Sequence, residues 1–244
     1  MREDVTIQNV PIANLHEAEF FEIFQEYLED CRQRTILFAN AHSCNVAQND
    51  VEFLIAVRAA DLVLPDGIGL KIAGKVIGHS IKANLNGTDL LPKVLSVAAE
   101  KSLRVFFLGG EPGVAEKAKE QLINRIPHLR IVGVHHGFFT HEEHRHVIEE
   151  INRSEAELLL VGLGVPFQEK WIWQFRSEIG AKFLFGVGAF LDFSAGRFTR
   201  APLIFRNFGI EWLFRLYQEP RRLFARYVFG NITFLLRTFC SNIF

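Results

Sequence analysis

The sequence predicts an α/β fold: a Rossmann-like parallel sheet flanked by helices, with a short basic amphipathic helical appendage at its C-terminal end. Two observations predict the sheet. Short buried apolar runs alternate with segments of helical periodicity about six times, and the runs stop on glycine or on a polar residue, as strands do where a parallel sheet meets its ligand. A third observation, the distribution of charge, predicts the appendage. From Arg197 to Phe244 there are eight arginines, no lysine and two acids, a net charge of +6, together with nine of the 24 phenylalanines. Residues 1–196 carry 19 bases and 26 acids, a net charge of −7. The chain therefore divides into a Rossmann-like domain, 1–196, and an appendage, 197–244.

The totals narrow the class further. At 244 residues the chain can bury one sizeable core. Cys31, Cys44 and Cys240 are far apart and have neither the pairing nor the histidine spacing of a zinc site, so a reducing compartment and no metal are expected. The start, Met-Arg-Glu-Asp-Val-Thr, lacks the basic-then-apolar order of a signal peptide, and no run reaches the roughly 18 apolar residues of a membrane span. The expected location is the cytoplasm.

In order, Val5–Ile12 reads as a short strand or hairpin and Glu17–Cys31 as a helix. Thr35–Ala39 is a buried strand that runs into Asn40-Ala41-His42-Ser43, where polar residues begin at once. A helix around Asp50–Ala60 leads to strand Leu62–Leu64, and Gly67–Gly78 is the next helix. Residues 79–89 form a polar loop, longer than a connection needs and suited to binding. Leu90–Lys101 is helical, followed by strand Leu103–Leu108, the turn Gly109-Gly110-Glu111-Pro112-Gly113 and helix Val114–Arg125. Arg130–Val134 is a strand ending on His135-His136, then come helix His141–Asn152 and strand Glu157–Val161. That strand delivers Gly162-Leu163-Gly164, a helix runs on to Gly180, and strand Lys182–Phe185 ends at Gly186-Val187-Gly188.

The residues at the carboxyl ends of these strands are Asn40, Asp66, Gly109, His135, Gly162 and Gly186. They outline a glycine-rich, nucleotide-sized crevice with one carboxylate, Asp66. Asp66 is either the working residue of the crevice or a helix cap in a Pro65-Asp66-Gly67 turn. The glycine turn Gly109–Gly113, with a proline before its helix, suits a phosphate on backbone N–H groups, although close packing alone also selects Gly-Gly. No Gly-x-Gly-x-x-Gly follows the first strand and no Walker sequence is present, which disfavours NAD and ATP.

Several side chains carry two readings. Asp89 is a second pocket carboxylate or, with Thr88, a helix N-cap; Asp192 faces the site or caps a turn. Trp171 and Trp173 belong with the core, and His141, His144 and His146 with a solvated helix face, while His135 and His136 sit at a strand end within reach of a nucleotide. In the tail, Glu211–Gln218 is an amphipathic helix, Pro220 interrupts it, and a second helix starts at Arg221. Arginine mixed with Phe, Trp, Tyr and Leu suits a membrane interface, or else a helix pair packed on the body or on another subunit. The acidic body argues against nucleic acid.

Six motifs then fall in one family's order: Asn40-Ala41-His42-Ser43; Leu64-Pro65-Asp66-Gly67-Ile68-Gly69; Asn86-Gly87-Thr88-Asp89; Phe107-Leu108-Gly109-Gly110; Val161-Gly162-Leu163-Gly164 with Pro166 and Gln168-Glu169; and Arg200-Ala201-Pro202 with Glu211-Trp212 and Arg215-Leu216. Over about residues 35–227 the chain resembles the WecG/TagA/CpsF family of bacterial glycosyltransferases. The resemblance implies metal-independent, inverting transfer from a UDP-sugar donor to a polyprenyl-diphosphate-linked sugar at the inner face of the cell membrane, by a peripheral enzyme without a cofactor that is open to homo-oligomer formation. It makes Asp66 the general base, with Asn40 and Gln168 in the same pocket. Around the substrates it implies Gly67, Asn84, Asn86, Thr88, Asp89, Gly109, Gly110, His135, Gly162, Gly164, Glu169 and Arg200, with Arg215, Arg221, Arg222 or Arg226 meeting the diphosphate. Phe38 stands where many members have threonine, and Asn84 where many have arginine. The segment Ala83–Asp89 looks more like the xanthan-type β-1,4-glucosyltransferase branch than the branch making N-acetylmannosamine linkages. The donor expected from it is UDP-glucose, for exopolysaccharide assembly.

Overall fold

The computed structural model describes residues 3–207 and 209–241; within the predicted appendage, 208 and 242–244 lie outside the described residues. An antiparallel hairpin, β1 (Asp4–Ile7) and β2 (Val10–Ala13), precedes α1 (Glu17–Glu29), β3 (Arg34–Ala39), α2 (Ala41–Ala47), α3 (Val51–Arg58), β4 (Leu62–Pro65) and α4 (Ile68–Val76). Next come α5 (Gly87–Glu100), β5 (Arg104–Gly109), α6 (Val114–Arg125), β6 (Arg130–His135), α7 (His144–Arg153), β7 (Leu158–Gly162), α8 (Phe167–Phe175), β8 (Phe183–Gly186) and α9 (Phe190–Ser194). The tail forms α10 (Leu203–Asn207), α11 (Glu211–Gln218), α12 (Pro220–Phe224), a π-helical turn at Ala225–Phe229 and α13 (Gly230–Ser241).

Strands β3 to β8 make one six-stranded sheet in the order β4-β3-β8-β7-β5-β6, every pair parallel. The predicted α/β class and C-terminal helix are therefore present. Register brings the strand ends level: Ala39 lies opposite Pro65, Gly186 opposite both Leu37 and Val161, and Gly109 opposite Gly162. Asn40 and Asp66 are thereby neighbours on one carboxyl edge, with the glycine turns beside them. The strands are near-continuous apolar runs because both faces are covered. Along β5, Phe107 packs with Phe20, Phe24, Leu91 and Phe183 on one face, while Phe106 and Leu108 meet Phe53, Leu70 and Val147 on the other. Each fully buried phenylalanine contributes roughly 1.5–3 kcal/mol of transfer free energy.

The structure refines three local readings. The polar run after β3 is the start of a helix, because Asn40 Oδ1 accepts the amides of His42 (3.0 Å) and Ser43 (3.2 Å) and the Ser43 hydroxyl accepts Asn40 N–H (3.3 Å), a capping box. Helix α5 starts at Gly87, not Leu90, and its cap is Asn86, which accepts the Asp89 amide; Thr88 and Asp89 lie within the first turn. In the tail, the helix Glu211–Gln218 ends before Pro220 as expected, and the second helix begins one residue earlier than expected, with Pro220 at its first position.

The last helix is seated on the body. Gln8 Nε2, in the β1–β2 turn, donates to Phe234 O (2.7 Å) and Thr238 Oγ1 (2.8 Å), and Asn45 Nδ2 on α2 donates to Gly230 O (2.7 Å). Phe234 and Thr238 are buried there, while Phe229, Ile232, Leu236 and Phe239 form an exposed apolar stripe on the other side of α13. Among the described residues no helix is long and apolar enough to cross a membrane.

Candidate active site

A cavity of about 1090 Å³ opens along the carboxyl edge of the sheet and is closed on its far side by the tail. Its volume holds a nucleotide-sized ligand with room to spare. Asp66 lies at its floor, directly after β4. It does not cap α4, whose N-cap is Gly67 and carries no side-chain bond. Instead Asn40 Nδ2 donates to Asp66 Oδ2 at 3.4 Å. Burial raises the pKa of Asp66 above the usual carboxylate range and nearby Glu211 adds to it, against the Asn40 bond and the charges of Arg226 and Arg215. A carboxylate with a raised pKa is a stronger proton acceptor than a freely solvated one.

The expected binding loop folds against this floor. Gly67, at φ +97°, donates its N–H to Asn84 Oδ1 at 2.7 Å, and Leu85 N–H pairs with Pro65 O at 2.8 Å as an extra rung beside β4. Asn86 caps α5 and its Nδ2 holds Asp89 Oδ2 at 2.8 Å. Asn84, Asn86 and Thr88 line the cavity; Asp89 does not. Asp89 binds Arg200 (2.6 Å) and Arg206 (3.2 Å), so it fastens the tail to α5.

The glycine edge is set by close backbone approach. A Cβ on Gly109, at φ +146°, would come within 2.4 Å of Gly162 O, and one on Gly162 within 2.9 Å of Gly188 O. Gly110, Gly162 and Gly164 reach the cavity, whereas Gly109 serves packing behind them. His135 is also outside the wall, its Nδ1 2.6 Å from His136 O. Gly137, Phe138 and His144 occupy that rim instead. Gln168, 2% exposed, accepts Gly188 N–H on Oε1 (2.9 Å) and donates from Nε2 to Glu169 Oε1 (2.8 Å). Glu169 lies behind Gln168 and off the cavity, and burial pushes its pKa up to about 7.

The opposite wall is arginine. Arg215, Arg222 and Arg226 line the cavity; Arg200 and Arg221 do not. Glu219 bridges Arg215 (3.2 Å) and Arg222 (2.6 Å), and the Arg215 guanidinium lies over Phe193 at 4.5 Å. Among the described residues Arg226 has no carboxylate at ion-pair distance, and its buried Nε has no hydrogen-bond partner. Burial lowers its pKa, and a buried cation in this state calls for an anion. Wall residues that sequence reasoning did not assign to the site include His42, Arg197, Trp212 and Tyr227. Burial drives His42 down to about 4, with Arg226 adding to it, so its imidazole is neutral. Arg197 closes over the glycine turn through Glu111 (2.6 Å) and also reaches Asp192 (3.3 Å). The histidine in a capping-box sequence, and the motif residue Trp212, were the available signals.

Fold and cavity together make an α/β protein with a nucleotide-sized cavity at its sheet edge, in which one strand-end carboxylate faces a cationic wall. Over residues 5–244 the chain matches the model of the glycosyl transferase WecG/TagA/CpsF family. It belongs to that family and is a glycosyltransferase.

Similar curated proteins bear one name, N-acetylglucosaminyldiphosphoundecaprenol N-acetyl-β-D-mannosaminyltransferase. The Bacillus spizizenii protein is 31% identical over 196 residues, 80% of this chain and 76% of its own length. That of Bacillus subtilis is 26% identical over 218 residues, 89% and 84% of the two chains. A Staphylococcus aureus protein is 30% identical over 188 residues, 77% and 73%. These names overturn the UDP-glucose, exopolysaccharide donor expected from Ala83–Asp89. The physical reason is local: Asn84 is spent on Gly67 N–H, Leu85 on Pro65 O and Asn86 on capping α5.

Proposed function

We propose that the protein transfers an N-acetylmannosamine unit, with inversion, from its UDP-linked donor to an N-acetylglucosamine carried on a polyprenyl diphosphate. The observation that carries this reading is the Asp66 carboxylate, half-buried, held by Asn40 and facing Arg215, Arg222 and Arg226 across one cavity. The names of the relatives support the sugar and the acceptor.

Asp66 takes the proton from the acceptor hydroxyl as its oxygen attacks the anomeric carbon, opposite the departing UDP. Asn40 steadies the carboxylate, and Gln168 presents its amide beside the reacting sugar. Nucleotide phosphates lie at Gly110, Gly162 and Gly164. Arg215 and Arg222, next to α9, meet the charge that develops on the leaving diphosphate. Arg226, nearer Asp66 and α13, meets the acceptor's diphosphate. The tail thereby acts as an appendage that completes the site, and its exposed apolar stripe with neighbouring arginines seats the enzyme peripherally on the membrane that carries the acceptor.

The test is transfer from UDP-N-acetylmannosamine to a short-chain polyprenyl-diphosphate N-acetylglucosamine by the wild type and by Asp66→Asn. Product from the wild type and a loss of about 10²- to 10⁴-fold in kcat for the variant, at unchanged UDP affinity, are expected. Equal turnover by the two would reject Asp66 as the base. Absence of product from every UDP-sugar tried would reject the reading.

A further inference from the structure

The reacting sugar and the diphosphates account for the polar part of the cavity, but one end of it is hydrocarbon. Ile68 and Ile72, one turn apart on α4, line that end and are 36% and 42% exposed. Leu235 on α13 lines the cavity as well, with Phe234, 1% exposed, packed into the body behind it. The two helices meet at Gly69, where a Cβ would stand in ordinary contact with Phe234 at 3.7 Å and Ala41 at 3.4 Å. Ile68 is backed by Gly209, where a Cβ would come within 3.0 Å.

This lip continues outward. Leu235 is flanked at helical spacing by Ile232 and Phe239, both more than half exposed, so the cavity wall runs without a polar break into the apolar stripe of α13. It also continues inward to charge. Arg226 precedes Leu235 by nine residues, about 13 Å at helical rise. A cation at one end, an apolar lip about 13 Å away and an apolar surface beyond it form a path for an amphiphile with an anionic head and a long hydrocarbon tail.

Resting on the function proposed above, we infer that the isoprenoid chain of the acceptor leaves the cavity where α4 and α13 meet, over Ile68, Ile72 and Leu235. The enzyme then recognises the hydrocarbon as well as the sugar. Exposed apolar side chains at the mouth of a polar cavity, which would otherwise invite association, have a defined occupant. The track also fixes direction: the chain enters along the stripe that faces the lipid, and the sugar arrives at Asp66 with its diphosphate beside Arg226.

Binding tests this without requiring turnover. Affinities of the full-length protein for farnesyl diphosphate and for inorganic pyrophosphate are measured by titration calorimetry. The wild type is expected to bind farnesyl diphosphate at least about tenfold more tightly than pyrophosphate. In Ile72→Asn, and separately in Ile68→Asn, that ratio should fall towards one, while Ile55→Asn, an exposed apolar site on α3 away from the cavity, should keep it. Thermal melting checks that each variant is folded. Equal affinities in the wild type, or a ratio preserved in both α4 variants, would overturn the track and leave bilayer contact or a second copy of the chain to cover the lip. A ratio that behaves as expected in a protein that transfers no sugar would uphold the track and reject the transferase reading instead.

Discussion

Asn40 gives Asp66 its side-chain nitrogen because its oxygen is already committed. Oδ1 accepts the amides of His42 and Ser43 at the start of α2, which orients the amide and leaves Nδ2 3.4 Å from Asp66 Oδ2. One residue thus performs a structural and an electrostatic task, and substitution can separate them. Asn40→Asp keeps a competent cap, so melting should change little, yet sets a second carboxylate against Asp66. The acid limb of the pH–kcat profile should move to higher pH by at least about one unit. Asn40→Ala should also cost about 1 kcal/mol of stability through the lost cap. An unmoved acid limb in both variants would refute the pairing.

The raised pKa of Asp66 sets a direction for the pH profile. A general base works when deprotonated, so kcat should fall as pH drops through a value above the usual carboxylate range. Because Glu211 raises that pKa as a like charge, Glu211→Gln should shift the acid limb to lower pH. A shift upward would show that Glu211 acts mainly through its link to Arg200.

Stability should respond to pH through Glu169 and His42 in opposite senses. Burial lifts Glu169 to about 7, so the folded state holds a proton that the unfolded chain has released above about 4.5. This contribution favours the folded state as pH falls from about 7 to 4.5 and is lost as pH rises through 7. His42, pulled down to about 4, is neutral in the folded state where the unfolded chain takes up a proton, and so costs stability as pH falls from about 6.5 to 4. Glu169→Gln should therefore raise the melting temperature more at pH 8 than at pH 5, and His42→Asn more at pH 4.5 than at pH 8. Melting curves at the three pH values check both signs.

The glycine edge predicts unequal costs for one chemical change. Gly109→Ala would drive a Cβ to within 2.4 Å of Gly162 O and should cost on the order of 3 kcal/mol or more. Gly164→Ala, at φ +80° with nothing within 4 Å, should cost about 1 kcal/mol from the backbone alone. Denaturant melts of the two variants give the comparison.

Gln8 offers a remote test of tail docking. Its amide is the polar link between the β1–β2 turn and α13, so Gln8→Ala should cost about 1–2 kcal/mol and expose 230–241 to limited proteolysis while the sheet stays intact. Unchanged cleavage would mean that Asn45 and Phe234 hold the helix by themselves.

The sheet was legible because a strand buried on both faces must be a short apolar run, and such runs are local. β3, β4, β5 and β7 each appear in the sequence within a residue or two of their place. Asp66 was legible for the same reason, as the first polar residue after such a run. Glycines at strand ends could be seen but not assigned: Gly109 and Gly164 read alike until Gly162 O is found against one and open space against the other.

By itself, then, the sequence determined the α/β class, the strand ends on which the cavity stands, the basic and aromatic character of the tail, and the family. Only the tertiary structure decided which polar groups meet. Among the described residues the buried Nε of Arg226 and Oε2 of Glu169 have no hydrogen-bond partner, Asp89 fastens Arg200, and Asn84 accepts the Gly67 amide at the cavity wall. Apolar periodicity is written over a few neighbouring residues, whereas polar pairing joins residues distant in the chain, Asn40 and Asp66 being 26 positions apart and Asp89 and Arg206 117 apart, which only the folded chain brings within bonding distance.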